Sequence, residues 1–442
     1  MTRPAKLIIA AIVIAACAPV ARRSMSEPLW TPKCCSAEGK SIAGKYRVSA
    51  IDSRRFTHAE LWAALDPLVR APGLSVSEIG RSIQGRPIRA VTFGSGPTTV
   101  LLWSQMHGDE STATMSLADL IAWFASSTPE YAALRNTLAA RLRIVMIPML
   151  NPDGAELFQR ENAVGVDVNR DARNLATPEA RALKSLRDSI KPVFGFNLHD
   201  QNARTLTGNN GNQVAIALLA PAADEERTYG PTRSNARLVA AVIASILKSE
   251  IPGRLAKYND AHEPRAFGDL MQQWGTSTVL IESGAMPGDA EKQKLREVNV
   301  IAILSALNAM ADDSWRNADP SAYESIPTNS RSAVDLLVRG ASLVLPGAEP
   351  VRVDIALNYE ESVARRDPRV REVGDLARVI ALDTLDATGM YLHPATSMLT
   401  DRNGMRWIRF DTTAVISIRK GRDPSSDLFR VIGQLAPARS SQ

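Results

Sequence analysis

The sequence predicts an α/β protein with a mostly parallel or mixed sheet and helices on both faces, followed by a small β-rich domain. Short apolar runs alternate with amphipathic segments of helix length up to about residue 312. This alternation is typical of a sheet that is covered by helices. Beyond that point the apolar runs become short and are punctuated by Gly, Pro and Asp, which favours strands joined by turns.

The N-terminal segment, residues 1–24, has the form of an export signal. A basic stretch, MTRPAK, precedes the apolar run LIIAAIVIAA, and the next residue is Cys17. The run is too short to span a bilayer. Its Ile-Ala-Ala-Cys ending resembles a bacterial lipobox, so we expect an exported protein that is periplasmic or anchored to a membrane through lipidated Cys17. Plain signal cleavage and a cytoplasmic protein that starts at Met25 are the alternatives.

The composition is that of an ordinary globular protein. Hydrophobic residues make up 45% of the chain and charged residues 22%. The formal charge of +5 comes from scattered Arg and Lys without a basic block, so no nucleic-acid partner is predicted. Two of the three cysteines, Cys34 and Cys35, are adjacent. Adjacent cysteines seldom bridge each other because the ring is strained, so no disulfide framework is predicted and their role stays open.

The α/β domain is predicted to cover residues 47–313. Its first helix is FTHAELWAALDPLVR, which the sequence APG ends. The predicted strands are PIRAVTF, TTVLLWSQM, LRIVMIPML, VFGFNLH, QVAIALLAP and STVLIES. The predicted helices between and after them are TMSLADLIAWFASS, PEARALKSLRDSI, NARLVAAVIASILKS and AILSALNAMADD.

The second domain is predicted to cover residues 328–432. Its strand-like runs are SAVDLLVRG, ASLVLPG, VRVDIAL, GDLARVIALDTL, MRWIRFD and AVISIRKG. Its sequence does not indicate a role: the domain could bind a cell wall or a partner, or only cap the catalytic domain.

Polar side chains follow three of the predicted strands in the α/β domain. His107 and Glu110 follow TTVLLW, His199 ends VFGFNLH, and Glu282 ends STVLIE. In open α/β sheets, ligands bind beyond the carboxyl ends of the strands, where such residues converge. Two imidazoles and a carboxylate are suitable zinc ligands, and three protein ligands with an open position define a catalytic site. Each residue alone has a simpler interpretation as a hydrogen-bonded strand end.

The order of the motifs along the chain resembles that of a known family. HGDE, NPDG, an arginine, GVDVNR, a strand-end His and a strand-end Glu follow one another between residues 104 and 283. This series resembles the M14 zinc carboxypeptidases, and the resemblance extends over approximately residues 50–312. It implies one Zn²⁺ per chain, held by His107, Glu110 and His199. It also implies that Glu282 is the general base.

The resemblance further implies how a substrate is held. Arg160 matches the arginine that polarises the scissile carbonyl, and Asn169 and Arg170 match the pair that binds the C-terminal carboxylate of the substrate. Tyr258 lies at a plausible distance before the general base for the family's capping tyrosine, but the sequence around it does not match. Without the resemblance, Arg160 and Arg170 could be surface cations and NPDG a simple turn.

The function expected from this site is hydrolysis of C-terminal residues from peptides. Zinc lowers the pKa of its water to about 7, and a nearby carboxylate can take the proton of that water. The expected substrate is a peptide or cell-wall peptide with a free carboxylate. Many family members carry Arg between the first His and Glu, where this chain has Gly108 and Asp109, as in branches that act on cell-wall peptides. A murein peptide amidase and an N-acyl amino acid deacylase are alternatives, because their substrates also present a carboxylate near a scissile amide. A non-catalytic binding protein on the same fold is an alternative of a different class.

Overall fold

A computed structural model of the protein describes residues 36–208, 211–330, 333–410 and 412–433. The predicted signal segment, Cys17, Cys34 and Cys35 lie outside the described residues, so what was expected of them stays a prediction. No helix in the described ranges combines the length and apolar character needed to cross a membrane.

The main sheet is mixed. The strands of this part of the chain are β1 (Leu74–Arg81), β2 (Pro87–Phe93), β3 (Thr98–Ser104), β4 (Leu142–Ile147), β5 (Phe194–Asp200), β6 (Leu206–Thr207), β7 (Ile216–Leu219), β8 (Leu255–Lys257) and β9 (Ser277–Ser283). Eight of them form one sheet in the order β1-β2-β4-β3-β5-β9-β7-β8, and β6 pairs with β10 (Asn329–Ser330). The central pairs β4–β3, β3–β5 and β5–β9 are parallel, whereas β1–β2, β2–β4 and β9–β7 are antiparallel. The predicted fold class is confirmed.

Helices cover both faces of this sheet. They are α1 (Ser36–Lys45), α2 (His58–Leu65), α3 (Thr112–Ala125), α4 (Ala132–Arg141), α5 (Pro152–Leu157), α6 (Pro178–Ile190), α7 (Pro231–Glu250), α8 (Phe267–Gln273), α9 (Gln293–Ala311) and α10 (Ser321–Glu324). Strand β3 shows the two faces directly, because Val100 and Leu102 belong to one hydrophobic cluster and Leu101 and Trp103 to the other. A strand buried on both sides needs apolar residues at every position, which is why β3 reads as an unbroken apolar run.

Local signals set some helix ends, and tertiary contacts set others. The predicted helix PEARALKSLRDSI coincides with α6, because the Thr177 side chain accepts a hydrogen bond from the Ala180 amide and Pro178 occupies the first turn. The first helix was predicted to be FTHAELWAALDPLVR, but the described residues already form a helix, α1, at residues 36–45. This helix packs against α9, since its Ile42 is buried in the core that also contains Ile301 of α9.

The C-terminal part of the chain is rich in strands, as predicted. Its strands are β11 (Ala333–Leu343), β12 (Val351–Glu361), β13 (Arg366–Gly374), β14 (Ile380–Asp386), β15 (Tyr391–Pro394), β16 (Leu399–Arg402), β17 (Met405–Ile408), β18 (Ile416–Arg419) and β19 (Leu428–Ile432). Seven form a second sheet in the order β13-β12-β11-β15-β18-β19, with β14 beside β11. The limits of a separate domain at 328 and 432 remain a prediction.

One predicted strand break in this part is wrong. The runs SAVDLLVRG and ASLVLPG were expected to be two strands, but AVDLLVRG and the following ASL form one continuous strand, β11. Gly340 has a φ of 71° and lies where the register with β12 shifts, between Val338 and Ala341. Its amide donates to the Asp354 carboxylate at 2.8 Å. The glycine therefore forms a bulge inside a continuous strand and does not end it.

Candidate active site

The candidate ligands and the candidate general base lie at the carboxyl ends of three neighbouring parallel strands. His107 and Glu110 lie in the loop between β3 and α3, and His199 lies at the end of β5. Glu282 is at the end of β9 and pairs in register with His199. The topology brings these four residues together because β3, β5 and β9 are adjacent in the sheet.

Direct backbone contact between two motifs shapes the loop that carries His107. A Cβ atom on Gly108 would lie 2.0 Å from the carbonyl carbon of Gly154 in NPDG, so this position can hold only glycine. Asn151 begins α5, where its side-chain oxygen accepts from the Gly154 amide at 2.9 Å, and its side-chain nitrogen donates to the Met106 carbonyl at 3.2 Å. NPDG is thus a helix start that supports the HGDE loop.

Ligand atoms from three residues converge at the centre of the site. The Nδ1 atoms of His107 and His199 lie 2.8 and 2.7 Å from the two carboxylate oxygens of Glu110, and 3.1 Å from each other. All three residues are buried. Lone pairs packed this closely repel one another unless a proton or a cation lies among them. Two imidazole nitrogens and a carboxylate form a donor set that zinc uses in catalytic sites, so these residues fit a zinc ion.

Asp167 orients the first histidine and also Arg160. One of its carboxylate oxygens lies 3.0 Å from His107 Nε2, which leaves Nδ1 to face Glu110. The other oxygen accepts from Nε and Nη2 of Arg160 at 3.0 and 2.9 Å. The remaining Arg160 nitrogen, Nη1, lies 3.3 Å from Glu110. A guanidinium group is therefore held at the edge of the candidate metal site.

The pKa values of the site depend on burial and on this cluster of charges. Burial lowers the pKa of His107, but the Glu110 carboxylate and the hydrogen bond to Asp167 outweigh it and raise the pKa to about 9. Burial lowers the pKa of His199. Burial, together with the negative charge of Glu110, raises the pKa of Glu282 to about 8. A cation bound to the three ligands would offset that negative charge and favour the ionised form of Glu282.

The remaining predicted residues line the same cleft, whose volume is about 780 Å³. Asn169 is fixed in place, since its side-chain oxygen accepts from the Phe267 amide at 2.9 Å. The Arg170 guanidinium donates to the Asn169 carbonyl at 2.9 Å and lies 3.5 Å from the Glu263 carboxylate. Tyr258 follows β8 and also lines the cleft. The structure thus brings together all eight residues that the sequence singled out.

Sequence reasoning missed three residues of the site. Asp167 belongs to the motif GVDVNR. Its position three residues before Arg170 was the only feature of the sequence that could have indicated its place in the site. Asp200 donates from its amide to Glu110 at 3.0 Å, and its carboxylate accepts from buried Lys292 at 2.8 Å. Lys292 lies 92 residues further along the chain, so no local pattern could have indicated this pair.

Comparisons with known proteins agree with the motifs. The zinc carboxypeptidase family model, M14, matches residues 63–178. Carboxypeptidase 2 of Trichophyton rubrum is 32% identical over 104 residues, which are 23% of this chain and 19% of that protein. Carboxypeptidase SOL1 of Arabidopsis thaliana is 26% identical over 137 residues, which are 27% of this chain and 28% of that protein. The chain therefore matches only about a fifth to a quarter of the length of these relatives.

A solved structure shows a similar chain trace. The metallo-carboxypeptidase from Burkholderia cenocepacia superposes with a TM-score of 0.47 and 19% identity, over 59% of this chain and 70% of that one. The family match agrees with the resemblance predicted from the motifs: residues 63–178, about a quarter of the chain, are similar to the M14 zinc carboxypeptidases. The matched segment contains His107 and Glu110, whereas His199, Glu282 and the β-rich part lie beyond it.

Proposed function

We propose that this protein is a zinc-dependent metallocarboxypeptidase that removes C-terminal residues from peptides. The observation that carries the proposal is the convergence of His107, His199 and Glu110, with Glu282 buried beside them in one cleft. In this proposal the first three residues hold one Zn²⁺. When bound, zinc supplies a Lewis acid that polarises a carbonyl and makes water acidic enough to attack at neutral pH.

The protein groups have distinct tasks in the reaction. The Glu282 carboxylate takes the proton of the attacking water and delivers it to the nitrogen of the leaving amine. The Arg160 guanidinium stabilises the negative charge that develops on the carbonyl oxygen, and Asp167 holds it in position. Losing one such fixed donor in other enzymes costs roughly 3–4 kcal/mol of transition-state stabilisation.

Arg170 and Asn169 would bind the terminal carboxylate of the substrate. A planar guanidinium suits bidentate binding of a carboxylate. In the structure Arg170 lies beside Glu263, so we expect the substrate carboxylate to compete with Glu263 for the same cation. Tyr258 lines the cleft and is proposed to contact the bound substrate.

The test compares a free-acid peptide with the same peptide amidated at its C-terminus, using zinc-loaded protein. We expect the amidated peptide to be cleaved poorly, and Arg170→Ala to lower kcat/KM for the acid by at least about tenfold. The same substitution should hardly change cleavage of the amide. If wild-type protein cleaves both peptides equally well, the carboxypeptidase proposal is wrong.

A second candidate is a murein peptide amidase or an N-acyl amino acid deacylase that uses the same residues. The observation that favours it is Asp109, which lines the cleft where many family members have Arg. Burial raises the pKa of Asp109 to about 6, and within the described residues its Oδ1 atom has no hydrogen-bond partner. A substrate with an additional donor group, such as a cell-wall peptide, would satisfy this acceptor. Murein fragments in the same assay separate the two candidates.

Export and membrane attachment through Cys17 are proposed from the N-terminal sequence alone. The short apolar run and the small residues before Cys17 support this location. A peptidase outside the cytoplasm would meet cell-wall peptides as well as free peptides.

A further inference from the structure

A hairpin from the β-rich part reaches the cleft that contains the candidate metal ligands. Strands β12 and β13 are antiparallel, and the turn between them starts at Ser362. Glu360, Glu361, Ser362 and Val363 line the cleft together with His107, Glu110 and His199. One wall of the cleft is therefore built from residues far outside the segment that matches the family.

A buried carboxylate fixes this hairpin next to its turn. Asp335, on β11, is 2% exposed. It accepts hydrogen bonds from the Tyr359 amide at 2.7 Å and from the Ser362 hydroxyl. Arg204, in the segment after β5, donates to the same carboxylate at 2.9 Å and to the Tyr359 carbonyl at 3.2 Å. Because the ion pair is largely buried, the hairpin has a fixed position relative to the end of β5.

A second contact, made by Glu361, joins the same end of the hairpin to Arg55 and Phe158. Glu361 pairs with Arg55 at 2.5 Å, and the Arg55 guanidinium lies 4.5 Å from the centre of the Phe158 ring. Phe158 also lines the cleft and is two residues from Arg160. Arg170, in contrast, has its contacts with Asn169 and Glu263. Among the described residues, the hairpin and Arg170 thus have different contact partners.

The charges of the hairpin are compensated within the protein. Glu361 also pairs with Arg366 at 2.8 Å, and Glu360 pairs with Arg369. Carboxylates that already have guanidinium partners attract a charged substrate weakly. The hairpin wall should therefore act by its shape, and Val363, which is half-buried, is the apolar residue that it presents to the cleft.

We propose that the β12–β13 hairpin closes the cleft on the side where the N-terminal part of a substrate would leave, and so selects short peptides. The inference rests on the proposed function, because it assumes that the substrate's carboxylate binds at Arg170. A cleft of about 780 Å³ lies in the range that encloses a ligand of drug size, which corresponds to a few amino acids. A longer peptide would have to displace the hairpin or bend around it.

The experiment uses the full-length, zinc-loaded protein and free-acid peptides that share the same C-terminal residues, from dipeptide to octapeptide. We expect kcat/KM to be highest for the short peptides and at least about tenfold lower for the octapeptide. Val363→Trp should lower kcat/KM for the octapeptide by a further factor of about ten and leave kcat/KM for the dipeptide within about twofold of wild type. Val363→Gly should raise kcat/KM for the octapeptide. Val351→Trp is the matched control, since Val351 begins β12, is 58% exposed and does not line the cleft.

The dissociation constants of the same peptides, measured by calorimetry, separate this inference from the proposed function. If the dissociation constant depends on peptide length, and the two Val363 variants change this dependence in the expected directions, the proposed role of the hairpin is supported whether or not the peptides are cleaved. Identical length profiles for wild type and both variants overturn it, and so does a wild-type kcat/KM that keeps rising to the octapeptide. Wild-type protein that binds peptides without cleaving them overturns only the proposed function.

Discussion

Replacement of Asp167 by Asn is expected to weaken zinc binding and catalysis by separable amounts. The carboxylate contacts His107 Nε2 at 3.0 Å and Arg160 at 2.9 and 3.0 Å. Asparagine keeps the shape but loses the charge, and its amide nitrogen cannot accept a hydrogen bond from Arg160. Loss of a group that orients a ligand typically lowers metal affinity 10–100-fold, which corresponds to about 1.4–2.7 kcal/mol.

The catalytic loss comes from Arg160 and should persist at saturating zinc. Once its partner is neutral, Arg160 loses charge-assisted hydrogen bonds and its fixed position beside Glu110. We expect kcat/KM to fall about tenfold or more even when every site holds zinc. Zinc affinity is measured by competition with a chromophoric chelator, and thermal unfolding in the presence of that chelator checks that the variant is folded.

Asp188→Asn is a suitable control for this variant. Asp188 is an exposed carboxylate on α6 that pairs with Lys184, so its loss should leave zinc affinity unchanged. If Asp167→Asn binds zinc within about twofold of wild type, Asp167 does not orient His107 and the reasoning about its position is wrong.

Four further outcomes are expected. His199→Ala should bind much less than one zinc per chain, and full occupancy would show that this residue is not a ligand. Glu282→Gln should keep zinc while turnover falls by roughly 10²–10⁴, and near-normal turnover would assign the base to another group. Because the charges around metal-free His107 raise its pKa to about 9, zinc must displace the proton of this histidine when it binds. Zinc affinity should therefore fall about tenfold for each pH unit below 9, and calorimetry should show that close to one proton is released. A zinc affinity that does not depend on pH would contradict this. Cys17→Ser should move the protein from the membrane fraction or block its processing, whereas a soluble wild type that begins at Met25 would refute the lipoprotein prediction.

The position of the site could be predicted because its parts are encoded locally. Apolar runs that end in His or Glu place these residues at strand ends, and the HGDE spacing keeps His107 and Glu110 in one short loop. The identity of the residues follows from the chemistry, since zinc needs nitrogen and carboxylate ligands. Helix α6 could be predicted to the residue for the same reason, because a Thr cap and a Pro in the first turn are local signals.

The sequence by itself therefore determined the fold class, the resemblance to zinc carboxypeptidases and the set of candidate ligands. Only the tertiary structure showed that Asp167 faces His107, that Lys292 pairs with Asp200, and that a hairpin from the β-rich part lines the cleft. The folded chain thus brings together residues that are far apart in the sequence: Asp167 contacts His107 across 60 positions, and Val363 lines the same cleft as His107 although more than 250 positions separate them. Local propensity and periodicity carry no information about such pairs, because which loops meet is decided by the order of strands in the sheet and by the packing of the whole chain.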